Sequence, residues 1–146
     1  ITVLEDMPEE LEKIRTSVKR LREEFICFDP LYIKDMTMAR DLEAVERSRS
    51  ITDVDSRMIE NIKSRTVDRD FQFIRQSDFI VVMYPTEKLS PGVLSEMNFA
   101  HRYNKPVYSY YTHARSPFFE NLCDKIFTDV SELEDFLISE YGTGQE

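Results

Sequence analysis

The chain has 146 residues, 41% of them hydrophobic and 12% aromatic, which suits one domain with a real apolar core. Its 19 Lys and Arg stand against 28 Asp and Glu, and a net charge of −9 excludes a broad cationic face for a nucleic-acid polymer. Three Gly and six Pro exclude collagen-like and low-complexity classes, and no stretch approaches the roughly 20 apolar residues of a membrane helix. Cys27 and Cys123 have no paired spacing and no nearby His, so they read as reduced structural thiols of a cytoplasmic protein. Neither a metal nor a cofactor is expected, and His101 and His113 read as polar surface residues. The chain does not open on Met, so a piece of a longer polypeptide is expected.

Ile1–Leu4 supplies part of a first strand. Glu9–Glu24 has Leu11, Ile14, Val18, Leu21 and Phe25 at three- and four-residue intervals, the pattern of an amphipathic helix started by Pro8. Phe25–Phe28 reads as a short strand stopped by Asp29-Pro30. Met36–Arg49 is polar and irregularly helical, with a break or loop around Ser48–Ser50 and Thr52–Asp55. Ser56–Gln76 reads as a long helix. The continuous apolar run Phe79–Tyr84 then reads as a strand buried on both faces. After the polar loop Pro85–Leu89, Ser90-Pro91-Gly92 opens a helix that ends near Asn104. Val107–Tyr111 is a strand, Thr112–Pro117 a loop followed by a short helix, and Lys125–Phe127 a strand. Val130–Glu140 is the last helix, and Gly142–Glu146 a tail. Strands alternating with helices, with no hairpin turn between them, predict a parallel sheet. The expected fold is one α/β domain over residues 1–146, small, doubly wound and Rossmann- or flavodoxin-like. Its sheet has four to five strands, with helices on both faces.

Ligands of such sheets bind outside the carboxyl ends of the strands, which directs attention to the segment from Pro85 to Glu96. On a helical wheel Glu96 falls between Ala100 and Tyr103, on the arc that continues from Met97 and Val93. Glu96 is therefore a carboxylate within an apolar arc, costly unless it faces a cleft or is hydrogen-bonded. Asp70 repeats the pattern, falling between Ile74 and Phe73 on the arc that continues from Phe71 and Val67. Arg69 or Arg75 stands close enough in sequence to pair with it. Ser90, Gly92 and Val93 combine a capping hydroxyl, a residue open to close approach and free N–H groups, which serve capping or an anion. Glycine-rich nucleotide loops and a nucleophile elbow are absent.

The run Arg69-Asp70 … Gln76-Ser77-Asp78-Phe79-Ile80-Val81-Val82 … Ser90-Pro91-Gly92-Val93-Leu94-Ser95-Glu96-Met97-Asn98 … Asn104-Lys105-Pro106-Val107 resembles the nucleoside 2-deoxyribosyltransferase family. The likeness covers Val67 to about Tyr110 and, loosely, Lys125–Leu137. It implies that Glu96, four residues after Gly92, attacks the sugar's anomeric carbon. Asp70, eight residues before Asp78, would assist the departing base, and Arg69 would sit with the substrate-binding residues. Asp78 would cap a helix or support Arg69 or Arg75. Ser90, six residues before Glu96, matches the branch of 2'-deoxynucleoside 5'-monophosphate N-glycosidases, in which that Ser touches the 5'-phosphate. Asn98 stands where a small residue is usual, and the family's Tyr- or Gly-rich first loop is missing from Ile1–Asp6. The family also implies a homo-oligomer whose neighbouring subunit completes each site, with Ser116 and Asn121 as the matching candidates.

These resemblances imply N-glycosidic bond cleavage or transfer on a nucleotide or nucleoside, through a retaining route with two carboxyls about 5 Å apart. The alternative is a nucleotide-sensing domain of the same fold that turns nothing over, attached to a P-loop nucleotide kinase. A receiver domain is a poorer match. In receivers the Lys of a Lys-Pro pair ends a strand, whereas Lys105-Pro106 precedes one.

Overall fold

The computed structural model describes residues 7–28 and 53–142, the side chains of residues 53–56 excepted. The chain divides into two compact units, one formed by Ile1–Cys27 with Ile74–Glu146 and the other by Phe28–Phe73.

In the first unit, helix α1 spans Pro8–Glu24, with Pro8 in its first turn beside Glu9 and Glu10, where negative charge suits the helix dipole. Strand β1 spans Ile80–Met83, helix α3 Pro91–Arg102, and strand β2 Val107–Tyr110. A single turn, α4, covers Pro117–Asn121, strand β3 Lys125–Phe127, and helix α5 Val130–Tyr141. The remaining helix, α2, spans Asp53–Gln76.

The three strands form a parallel sheet in the order β1-β2-β3, with Ile80 opposite Val107 and Met83 opposite Tyr110. Tyr108 lies opposite Lys125, and Tyr110 opposite Phe127. All four residues of β2 are buried, as a central strand requires. Tyr108 and Tyr110 join Leu21 of α1, Phe127 of β3, and Leu133 and Leu137 of α5 in one core. Val107 and Ser109 point the opposite way by strand alternation and are fully buried too, so both faces of β2 are covered. Met97 and Ala100 are the fully buried residues of α3, which packs on β1 and β2.

Polar ties join the outer helices to this core. The Tyr110 hydroxyl donates to Glu10 at 2.9 Å, and Arg20 meets the buried Glu134 carboxylate at 2.7 Å. Tyr141 stacks on Phe79 with ring centroids 4.3 Å apart, and its hydroxyl lies 2.6 Å from that of Tyr108.

Helix α3 stops at Asn104, whose φ of 56° is left-handed, a conformation Asn tolerates better than most residues. The Lys105 N–H then reaches Ala100 O at 2.9 Å and the Asn104 N–H reaches His101 O at 3.1 Å, a Schellman closure that turns the chain into β2. At the other end of the chain, Asp129 caps α5 by accepting from the Ser131 N–H at 2.7 Å.

Several expectations change. Among the described residues the sheet has three strands, and Phe25–Phe28 is not one of them. Phe25 takes an extended conformation as the C-cap of α1 and sets its ring edge-on against Phe79 at 5.6 Å, while Ile26 is 92% exposed. The side chains of this segment alternate in and out without a ladder to hold them. Helix α2 begins at Asp53, so the expected loop through Asp55 is helical. Ile1–Leu4, Met36–Arg49 and the tail after Gly142 lie outside the described residues.

In the second unit, α2 buries Ile62, and the Thr66 hydroxyl returns a bond to Ile62 O at 3.0 Å. Phe28 and Phe73 stack there with centroids 5.0 Å apart.

Candidate functional site

Strand β1 runs through the buried residues Tyr84, Pro85 and Thr86 into a loop that the chain itself braces. The Tyr84 hydroxyl donates to Lys88 O, and the Thr86 hydroxyl accepts from the Lys88 N–H at 3.1 Å. That loop delivers Ser90 to the N-cap of α3, at the carboxyl edge of the sheet. Pro91 has no N–H, so the free amides of the first turn are those of Gly92 and Val93. The Ser90 hydroxyl makes no capping bond, and no acidic residue stands in the first turn. A Cβ added at Gly92 would meet no atom within 4 Å. The capping expected of Ser90 is therefore made by its backbone position alone, and its hydroxyl is left for other use. Glu96 stands one turn further along α3 and is half-buried.

Arg69 and Asp70 belong to the second unit. Arg69 Nε and Nη2 donate to Asp70 Oδ1 at 3.1 and 3.0 Å, and neither bond falls on Oδ2. The guanidinium also lies 5.9 Å from the centre of the Phe73 ring. Both side chains are about four-fifths buried, at 22% and 18% exposure. Of the two candidate arginines, Arg69 takes the carboxylate. Arg75 lies instead over Tyr103, 5.4 Å from the ring centre, and Asp78 is exposed.

The remaining candidates gather elsewhere. Asn98, Ser116 and Asn121 line an open cleft of about 840 Å³ between α3 and α4, and Leu94 lies with Asn98 on its α3 wall. Ser90, Gly92, Val93 and Glu96 do not line it. The helix explains the separation: Leu94 and Asn98 are four residues apart on one face, and Glu96 projects about 160° away around the axis. The structure thus brings together the three polar candidates but sets them on a different side of α3 from the expected nucleophile.

The cleft also contains residues whose sequence pattern pointed only to structural roles. Tyr84 and Tyr111 each stand one residue past the end of a strand, and Phe119 is the buried residue of α4. Tyr111 and Phe119 stack with centroids 4.4 Å apart at 27°, and Tyr84 lies 6.1 Å from Tyr111 at 21°. An aromatic residue ending each of two neighbouring parallel strands was the available signal, since such ends converge on one edge.

Three titratable groups of the first unit have distinctive settings. His113, expected at the surface, is half-buried, with Nδ1 3.5 Å from Glu87 and a buried Nε2 that has no partner among the described residues. Burial, and then the bond to Glu10, push the Tyr110 phenol up to about 12. Burial also pushes the Cys123 thiol up, although the Ser109 hydroxyl 3.2 Å away works in the other direction. Cys123 is therefore a poor thiolate at neutral pH, and neither Cys27 nor Cys123 is in a disulfide.

Among the described residues, no group of three His, Cys, Asp or Glu side chains is placed to hold a metal ion. Among those same residues, no helix is long and apolar enough to cross a membrane. No protein-family model matches the chain, and no curated protein matches it in sequence, so the site stands on its own geometry.

Proposed function

We propose that the chain cleaves or transfers the N-glycosidic bond of a nucleotide, with Glu96 as nucleophile and the start of α3 as phosphate site. The observation that carries the reading is Ser90: an N-cap hydroxyl not used for capping, above a first turn with open space at Gly92 and no competing carboxylate. Phosphate would accept from the Ser90 hydroxyl and the Gly92 and Val93 amides, where the helix dipole favours negative charge. The sugar's C1' would then lie against Glu96 one turn on. Attack by its carboxylate forms a glycosyl-enzyme ester as the C1'–N bond breaks and the base leaves. By the resemblance, Asp70 would assist the departing base. Water attacking C1' then frees Glu96 and completes hydrolysis, or a second base completes transfer.

The resemblance supplies the rest of the proposal: a doubly wound sheet of four to five strands, assembly as a homo-oligomer, and a cytoplasmic location. Nucleotide sensing without turnover is the second reading. It is favoured by one observation, the engagement of Asp70 Oδ1 by both donors of Arg69.

The test is incubation with a panel of ribo- and deoxynucleoside 5'-monophosphates, following free base by chromatography. Base release that Glu96→Ala abolishes is the expected result. Release unchanged in that variant removes Glu96 as nucleophile, and binding without release from any nucleotide favours the sensor.

A further inference from the structure

We infer that the groove between α1 and the start of α5 is a binding site for a short aliphatic diamine. The inference does not rest on glycosidase activity, because none of its residues belongs to α2 or α3. The groove's volume of about 710 Å³ lies within the range of small-molecule sites. Ser17 of α1 lines it and is only 1% exposed. The Ser17 hydroxyl is buried and has no hydrogen-bond partner among the described residues. A buried hydroxyl left without a partner is costly, so this one calls for a ligand atom.

The charges around Ser17 decide what that atom is. Arg20 meets Glu134 at 2.7 Å and Asp135 at 3.8 Å, two carboxylates against one guanidinium. Further along α1, Lys13 is held by Glu10 at 3.4 Å. Glu9 and Glu12 line the same groove and make no ion pair among the described residues. Both ends of the groove therefore carry an excess of carboxylate. An anion would be repelled there, whereas an ammonium is attracted and can donate to the Ser17 hydroxyl. Among the described residues no acidic cluster is placed to hold a metal ion, so the cation is organic. Glu12 and Ser17 are five residues apart, about 7.5 Å along the axis of α1, the reach of a short diamine. Val130, on the α5 wall, offers apolar surface to the methylene chain.

The test is a titration of the full chain with putrescine at fixed salt, followed by proton–nitrogen NMR. Saturable shifts are expected in the amides of residues 12–20 and 130–134, while the Gly92 and Val93 amides stay in place. Glu12 is exposed, so Glu12→Gln keeps the fold and is expected to weaken binding by about tenfold. Ser17→Ala removes only an unpartnered hydroxyl, so Tm is expected to hold or rise while binding weakens by a similar factor. Glu140→Gln removes the same charge near the far end of α5 and is expected to leave binding unchanged. An equal loss in Glu140→Gln overturns the inference in favour of diffuse attraction to an acidic chain. No saturable shift, or binding that survives Ser17→Ala, also overturns it. Butylamine binding as tightly as putrescine removes the two-ended ligand, and saturable shifts of the same amides with inorganic phosphate overturn the inference in favour of an anion.

Discussion

Gly92 is the second residue of α3, and a Cβ placed there meets nothing within 4 Å. Its φ is not positive, so alanine fits the backbone without strain. Packing therefore gives no reason for glycine, and Gly92→Ala should stabilise the chain. Alanine loses less freedom on folding and favours the helix, worth about 0.4–1 kcal/mol. For a chain of this length about 1 kcal/mol moves Tm by about 2–4 °C, so a rise of a few degrees in a circular-dichroism melt is expected. The added methyl stands beside the Gly92 and Val93 amides that would receive a phosphate. A displacement of roughly 1 Å there lowers turnover about 10²-fold, so base release should fall while stability rises. A lower Tm would show that the space around Gly92 is filled. A higher Tm with base release intact would show that no ligand approaches it.

Two further substitutions address the fold. Asn104→Val places a branched side chain at a φ of 56°, which costs about 1–2 kcal/mol, whereas Asn104→Gly costs little or nothing. Urea midpoints that are equal for the two variants would refute the left-handed turn. Tyr110 has its phenol raised from 10.0 to about 12 in the folded chain, so its contribution is complete below pH 10 and is lost as pH climbs toward 12. Stability across that window should fall less steeply in Tyr110→Phe, and tyrosinate absorbance should show the delayed ionisation directly.

What was legible in the sequence followed from local chemistry. The apolar runs Phe79–Tyr84 and Val107–Tyr111 became strands, the second fully buried as β2 but the first, expected to be buried on both faces, burying only Val82 within β1. Pro8 and Pro91 marked the starts of α1 and α3. Phe25–Phe28 has the composition of a strand but found no ladder, because pairing depends on a neighbour that composition does not specify. Glu96, which the helical wheel sets within an apolar arc, is half-buried. The grouping of Asn98, Ser116 and Asn121 was a different matter. The wheel that set Glu96 apart from Leu94 also set it apart from Asn98, yet only the packing of α4 against the strand ends revealed the cleft. Tyr84 and Tyr111 were read as strand ends because alternation says which way a residue points, not what converges on it.

The bond from Arg20 to Glu134 spans 114 residues, and that from Tyr110 to Glu10 spans 100. The partners of α1 thus lie near the far end of the chain. On a ribosome adding about 5–20 residues per second, α1 must wait roughly 6–20 s before α5 emerges. Throughout that interval Leu21 lacks the cover that Leu133 and Leu137 of α5 give it. The chain is therefore exposed to aggregation and to chaperone capture until α5 emerges, and α5 is the helix that closes this core.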